Sequence, residues 1–211
     1  MPFRLLKKKK LSSMAIDFDA IARHYDRTAT TIEDSAKAMG WKSRFRQEIR
    51  YDAMHAMVDF EGSSVLDCGC GDGGLFRYFK NQQVAIDYRG IDISSEMVKR
   101  AKRVSPDIMV SRGQFLDHHE TADIVVCSGS LTFQPEENPY KFLKKALRHL
   151  VSISNEHVIF NLLNPTGNFA RPHQMYDPVT VLGICLDISP FVSFNQTYLP
   201  DDFTILISKQ K

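Results

Sequence analysis

The stretch Val65-Leu66-Asp67-Cys68-Gly69-Cys70-Gly71-Asp72-Gly73-Gly74 constrains this chain more than any other. Val65 to Cys68 reads as a short buried strand, and Leu75-Phe76-Arg77-Tyr78-Phe79 behind the glycines suits a helix. The glycines therefore make a strand-to-helix turn, in which a backbone without Cβ takes positive φ and approaches a ligand closely. The N–H groups of such a turn, where a helix opens, form a small electropositive nest. Asp67 stands ahead of the first glycine, where an acid repels a phosphate and suits a cationic or ammonium-bearing ligand. Gly69-x-Gly71-x-x-Gly74 also satisfies the dinucleotide fingerprint, so the glycines alone leave a nicotinamide cofactor open.

Beyond the turn, apolar strands and helices alternate. Tyr88 to Ile93, Ile108 to Val110, Asp123 to Cys127 and His157 to Leu162 read as further strands. Between them, Ser94 suits an N-cap for a helix through Met97, Val98 and Ala101, and Phe142, Leu143, Ala146, Leu147 and Leu150 mark an amphipathic helix. A helix follows over 178–186, and strands over 191–198 and 203–208 are joined tightly enough for an antiparallel hairpin. Regular βα units predict an α/β fold with a doubly wound, mostly parallel seven-stranded sheet and a C-terminal antiparallel hairpin. Ahead of the turn, Phe18, Ile21, Ala22 and Tyr25 predict a short helix followed by a polar stretch, and Phe45, Ile49, Met54 and Met57 a second helix. The organisation expected is a basic disordered leader over 1–14 and one domain over 15–211, made of a helical cap (15–60) and a Rossmann-like core (61–211).

With Asp67 included, the turn is Asp-x-Gly-x-Gly-x-Gly, and the chain here resembles the class I (Rossmann-like) S-adenosylmethionine-dependent methyltransferases. Tyr25-Asp26, then Gly40-Trp41-Lys42-Ser43, Gln47-x-x-Arg50 and the late Tyr198-Leu199-Pro200-Asp201-Asp202-Phe203-Thr204 resemble a group of small bacterial and archaeal members. That likeness runs over residues 15 to 210. It implies S-adenosyl-L-methionine as cofactor, with Asp67, Gly69, Cys70, Gly71 and Gly73 forming the turn against it. Asp92 ends the second strand, where a carboxylate accepts from both ribose hydroxyls. Gln114 stands where similar families commonly have an acid for the adenine amino group, and a glutamine oxygen accepts the same bond. Ile93, Met97 and Phe115 are expected as adenine walls, and Ser128 marks where the methyl group emerges. Trp41 and Arg50 are assigned to the cofactor from the cap.

The segment after the fourth strand, Ser128-Gly129-Ser130-Leu131, lacks the Asn/Asp-Pro-Pro-Tyr/Phe motif of many methyltransferases that modify base amino groups. Cys127 lacks the preceding proline of a nucleophilic cysteine, and no acid cluster follows to hold magnesium. No metal is expected, since Cys68-x-Cys70 lacks zinc spacing. For an acceptor that must lose a proton, His173, His24 and Tyr25 are the candidate bases. Arg171 and Tyr176 are further polar candidates for the substrate face.

A net charge of +2 sets up no global field for nucleic acid or membrane, and no apolar run reaches the length of a membrane span. A small-molecule acceptor is therefore expected. An RNA or protein acceptor is the alternative, supported by the run Lys7 to Lys10. A nicotinamide-dependent oxidoreductase and a non-catalytic adenosylmethionine-binding protein also remain open. Cys68, Cys70, Cys127 and Cys185 read as buried thiols of a reducing compartment, which predicts a cytoplasmic protein.

Overall fold

Strands that are apolar along their whole length must be covered on both faces. The computed structural model, which describes residues 17–133, 138–167 and 173–210, shows how. The expected leader and Arg171 lie outside the described residues. Seven strands form one sheet: β1 (Ser64–Cys68), β2 (Asp87–Asp92), β3 (Val110–Arg112), β4 (Ala122–Ser128), β5 (Ser154–Leu163), β6 (Phe191–Asn195) and β7 (Asp202–Ser208). Their spatial order is β3-β2-β1-β4-β5-β7-β6, with β1 to β5 parallel and β7 antiparallel to both its neighbours. The strand order turns back beside β1 and β4, so the carboxyl ends of these two strands open the crevice in which ligands of such sheets bind.

The helices are α1 (Phe18–Thr31), α2 (Ser35–Ala38), α3 (Arg44–His55), α4 (Gly74–Gln82), α5 (Ser95–Val104), α6 (Pro139–Ser152) and α7 (Pro178–Leu186). One apolar layer joins Phe142, Leu143, Leu147 and Leu150 of α6 to Phe160 and Phe203 of the sheet. The other sets Leu75 and Phe79 of α4 and Met54 of α3 against Val65, Ile124 and Ile159. All four cysteines are free thiols buried in this interior. No helix among the described residues is long and apolar enough to cross a membrane.

The hairpin forms, but the sheet takes it in by β7. Residues Asp202 to Ile207 are buried throughout, whereas β6 is the outer strand and leaves Phe191 and Phe194 exposed. It stops at Asn195 rather than Tyr198, because Asn195 Oδ1 accepts from the Thr197 N–H at 2.9 Å and turns the chain. The polar stretch expected after a short first helix is helix too. Thr28, Thr30 and Thr31 donate their hydroxyls to carbonyls one turn back, at 3.2, 2.9 and 2.8 Å, which makes them compatible with α1. The third strand lies at 110–112 instead of 108–110, since Ile108 joins the apolar layer under α4.

Three contacts fix the cap to the sheet's helices and strands. Asp26 Oδ1 accepts from Ser94 Oγ (2.7 Å) and the Glu96 N–H (3.1 Å), tying α1 to the start of α5. Buried Arg100 of α5 donates to the carbonyls of Ala29 (3.1 Å) and Ile32 (2.6 Å) and to that of Glu33. Arg50 of α3 reaches Asp202 at the start of β7.

Candidate active site

The glycine turn follows β1 as expected, but its N–H groups are already spoken for. Gly69 and Cys70 donate to the Ile91 carbonyl at 2.8 and 3.1 Å, and Gly71 donates to Asp92 Oδ2 at 2.8 Å. Asp72 N–H faces Met39 Sδ at 3.5 Å. The expected electropositive nest is thus filled by the protein's own carboxylate and carbonyl, and it has no set of donors spare for a pyrophosphate. Two glycines are required for a related reason. Gly69 (φ +80°) and Gly71 (φ +55°) take positive φ, and a Cβ at either would overlap Ser130 Cβ or Met39 Sδ. The turn is pressed between the cap and the loop after β4. Gly73, expected at the cofactor, caps α4 on its far side, packs toward Ile108 and does not line the cavity described next.

Above the strand ends lies a cavity of about 440 Å³, walled by the sheet ends below and by α1 and the segments flanking α3 above. Asp67, Gly69, Cys70, Gly71, Asp92 and Ile93 line it from β1 and β2. Met97, Gln114 and Phe115 line its edge, and Ser128 lies at the end of β4. Tyr25, Trp41, Arg50 and His173 close it from the cap and the late loop. The structure therefore gathers most of the residues singled out in the sequence around one space. Met39, Gln47, Tyr51 and Asn161 also line it and escaped the sequence reading. Gln47 at least stood inside the Gln47-x-x-Arg50 pattern, and Asn161 is the polar residue in an otherwise apolar strand end.

Asp67 and Asp92 are 3% and 8% exposed and together make the cavity floor acidic. Burial pushes the Asp67 carboxyl up to about 7; the Tyr88 hydroxyl, donating to Oδ2 at 2.8 Å, opposes this, and nearby Asp92 adds to it. Burial likewise pushes Asp92 up to about 6, against the N–H bonds from Ser94 (2.8 Å) and Gly71 (2.8 Å). Two carboxylates stripped of water favour a positively charged ligand. A pH dependence follows. In the free protein both folded-state values exceed those of the unfolded chain, so the native state holds more protons between about pH 4 and 7, and its stability falls as pH rises through that window. A cationic ligand displaces those protons. Its affinity is expected to rise by up to about a hundredfold per pH unit below about 6, where both protons are displaced, by about tenfold between about 6 and 7, and to level above about 7. Calorimetry of S-adenosylmethionine binding across that range checks this, and a flat profile would show that neither acid meets the cation.

The expected bases separate. Burial, with Asp92 nearby, pushes the Tyr25 phenol up to about 12, so Tyr25 keeps its proton at neutral pH and serves as a donor, contrary to the base role expected for it. His24 does not line the cavity; its ring packs edge-on to Tyr25 and Phe133, with centroids 5.1 and 6.3 Å away. Burial lowers His173 below the ordinary histidine value, with His24 adding to the effect, which leaves a neutral imidazole on the cavity wall. Tyr176, another substrate-face candidate, is instead fully buried, donating to the Leu131 carbonyl at 3.3 Å.

Arg50 lines the cavity, yet its guanidinium is committed elsewhere. It is 2% exposed, pairs with Asp202 at 2.6 and 2.8 Å, and lies 4.5 Å from the Trp41 ring centroid. Its evident work is to hold the cap and Trp41 in place.

The seven-stranded, mostly parallel sheet with its antiparallel end matches the Rossmann-like fold of methyltransferases, and residues 65–152 match the family model described as a methyltransferase domain. The chain has the fold of the class I S-adenosylmethionine-dependent methyltransferases, and residues 65–152 carry the match to that domain. Among solved structures it is similar to magnesium protoporphyrin IX methyltransferase from Synechocystis PCC 6803 with bound S-adenosylhomocysteine. That match has 15% identity, covers 92% of this chain and 100% of the other, and has a TM-score of 0.69. Human N-acetylserotonin methyltransferase matches with 15% identity over 92% of this chain and 59% of its own, at a TM-score of 0.68. A methyltransferase from Leishmania major matches with 14% identity over 91% and 83%, at 0.65. No curated protein matches the chain.

The floor fits S-adenosylmethionine on its own evidence. Asp67 suits the positively charged end and Asp92 the ribose hydroxyls, and the apolar side chains of Ile93, Met97 and Phe115 flank Gln114 where an adenine is expected.

Proposed function

We propose that this enzyme methylates a small-molecule acceptor held inside the cavity. The observation that carries this reading is the concave shape of the site: Tyr25, Trp41 and Phe133 stand over the ends of β1 and β4 around a cavity of about 440 Å³, the scale of a small-ligand site and not of an open surface for a macromolecule. Two of the similar enzymes bear small-molecule names, a porphyrin and an acylated serotonin, which supports the same class here.

When bound, S-adenosylmethionine supplies a methyl group on a positively charged sulfur. On this reading Asp67 and Asp92 hold the positive end and the ribose, and Gln114 the adenine. Trp41 and Phe133 keep water out, and the cavity positions the acceptor, which is where most of the rate gain of such a transfer arises. Tyr25 donates a hydrogen bond, and neutral His173 accepts the acceptor's proton where one must leave.

The test is a fractionation. Protein and labelled S-adenosylmethionine are incubated with cell extract, and label is counted separately in the small-molecule, protein and RNA fractions. Label in the small-molecule fraction is expected, reduced about a hundredfold to ten-thousandfold by His173→Ala if the acceptor loses a proton. Label confined to RNA or protein would overturn the proposal.

A further inference from the structure

Two polar atoms on the cavity wall have no hydrogen-bond partner among the described residues: Asn161 Oδ1 and Ser128 Oγ. Asn161 is wholly buried in β5, and Ser128 is its register partner at the end of β4, so both stand at one point of the sheet edge. Leaving a buried acceptor unpaired is costly, and native structures rarely do so without a ligand or other reason.

The orientation of the Asn161 amide is set by its neighbour. Its Nδ2 faces Asp202 Oδ1 and Oδ2 at 3.3 and 3.5 Å. Asp202 also takes Arg50 Nε at 2.8 Å and a hydrogen bond from the Tyr198 hydroxyl. Paired with a permanently charged guanidinium, Asp202 only accepts, so the amide must turn its NH₂ to Asp202 and its oxygen away. The group presented to a ligand is therefore an acceptor, with a hydroxyl beside it. Arg46 and Arg50, which also line the cavity, are matched by Asp201 and Asp202.

We propose that Asn161 and Ser128 form the subsite that recognises the methyl acceptor, and that it takes a hydroxyl or N–H group carried on an apolar body. This rests on the methyltransferase reading of the cavity. The donor bonds to Asn161 Oδ1, Ser128 adjusts its rotatable hydroxyl to the same group, and the apolar body lies toward Trp41 and Phe133. An anionic acceptor group would face the amide oxygen with both nearby guanidiniums already paired.

Three probes decide it: phenol, its methyl ether anisole, which lacks the donor, and benzoate, which is anionic. Each is titrated into protein saturated with S-adenosylhomocysteine, with dissociation constants read by ligand-observed NMR. The wild-type protein is expected to bind phenol about tenfold more tightly than anisole, the ratio set by one hydrogen bond to a buried acceptor. Benzoate is expected to bind more weakly than phenol. In Asn161→Ala the preference for phenol should vanish while affinity for S-adenosylhomocysteine stays within about twofold, which also reports that the variant is folded. Equal binding of phenol and anisole, no binding of phenol, or tighter binding of benzoate would each overturn the proposal using wild-type protein alone. A tenfold loss of S-adenosylhomocysteine affinity in Asn161→Ala would assign the amide to the cofactor and overturn it too. Failure of the wild-type protein to bind S-adenosylhomocysteine would instead strike the cofactor reading beneath it.

Discussion

Asp92→Ala is expected to weaken S-adenosylhomocysteine binding by about a hundredfold or more while lowering the melting temperature by only a few degrees. Each Asp92 oxygen already accepts one backbone N–H, from Gly71 and Ser94. A carboxylate oxygen has two lone pairs, so both oxygens can still accept a ribose hydroxyl. Bonds to a charged acceptor contribute about 1.5–3 kcal/mol each, and two of them correspond to a hundredfold at the low end. The folding balance is more even. The variant strands two N–H groups, at about 1–3 kcal/mol each, but it also removes a carboxyl that burial has pushed up to about 6. Asp92→Asn separates these effects, because one amide oxygen can keep the Gly71 bond. Calorimetric titration and thermal unfolding on the same samples check the prediction. Undiminished affinity beside a fall of more than about 10 °C would make Asp92 a brace for the turn and nothing more.

The larger effect on stability is expected from Arg50→Met. Arg50 and Asp202 are 2% and 0% exposed, so the substitution leaves a carboxylate buried without its counter-charge. Breaking one side of such a pair costs about 3–5 kcal/mol, which for a chain of this length lowers the melting temperature by about 10–15 °C. Trp41 also loses the guanidinium above its ring, so the cavity wall loosens and acceptor binding suffers with it. The double variant Arg50→Met with Asp202→Asn removes the orphaned charge and is expected to recover at least half of the loss. The sign with pH is also defined. Burial already pushes the Asp202 carboxyl up against the pull of Arg50, and without Arg50 it rises further, so the single variant is least impaired at acid pH, where Asp202 is neutral. A single variant within about 1 kcal/mol of wild type, or a double variant no better than the single, would show that the pair does not hold the cap.

How much of this was legible beforehand depends on the distance over which each feature is encoded. The glycine turn, Asp67 and Asp92 are local signals. A strand, a turn and a helix start are specified within a few residues, and the parallel order follows from βα alternation and handed crossovers. The helix over 178–186 was legible to its ends, because Asp177 caps it through the Thr180 N–H at 2.8 Å. Reading the thiols as buried was equally local, since each lies in an apolar or turn context.

Other features depended on which segments meet. That the turn's donors are consumed by Ile91 and Asp92 is a matter of strand register, and composition carries no trace of it. Arg50 looked like a ligand residue because its partner, Asp202, stands far along the chain. Tyr25 looked like a base because nothing local announces that its half-buried phenol will lose water beside Asp92. Asn161 was passed over as one polar residue in an apolar strand; the tertiary structure put it opposite Ser128 and fixed its amide against Asp202. By itself the sequence determined the sheet, the glycine turn and its two acids, because short-range periodicity and backbone sterics suffice for those. Only the tertiary structure decided which charges are neutralised, which protons are held and where an unpaired acceptor faces the cavity, because each is set by desolvation and by contacts between residues remote in sequence.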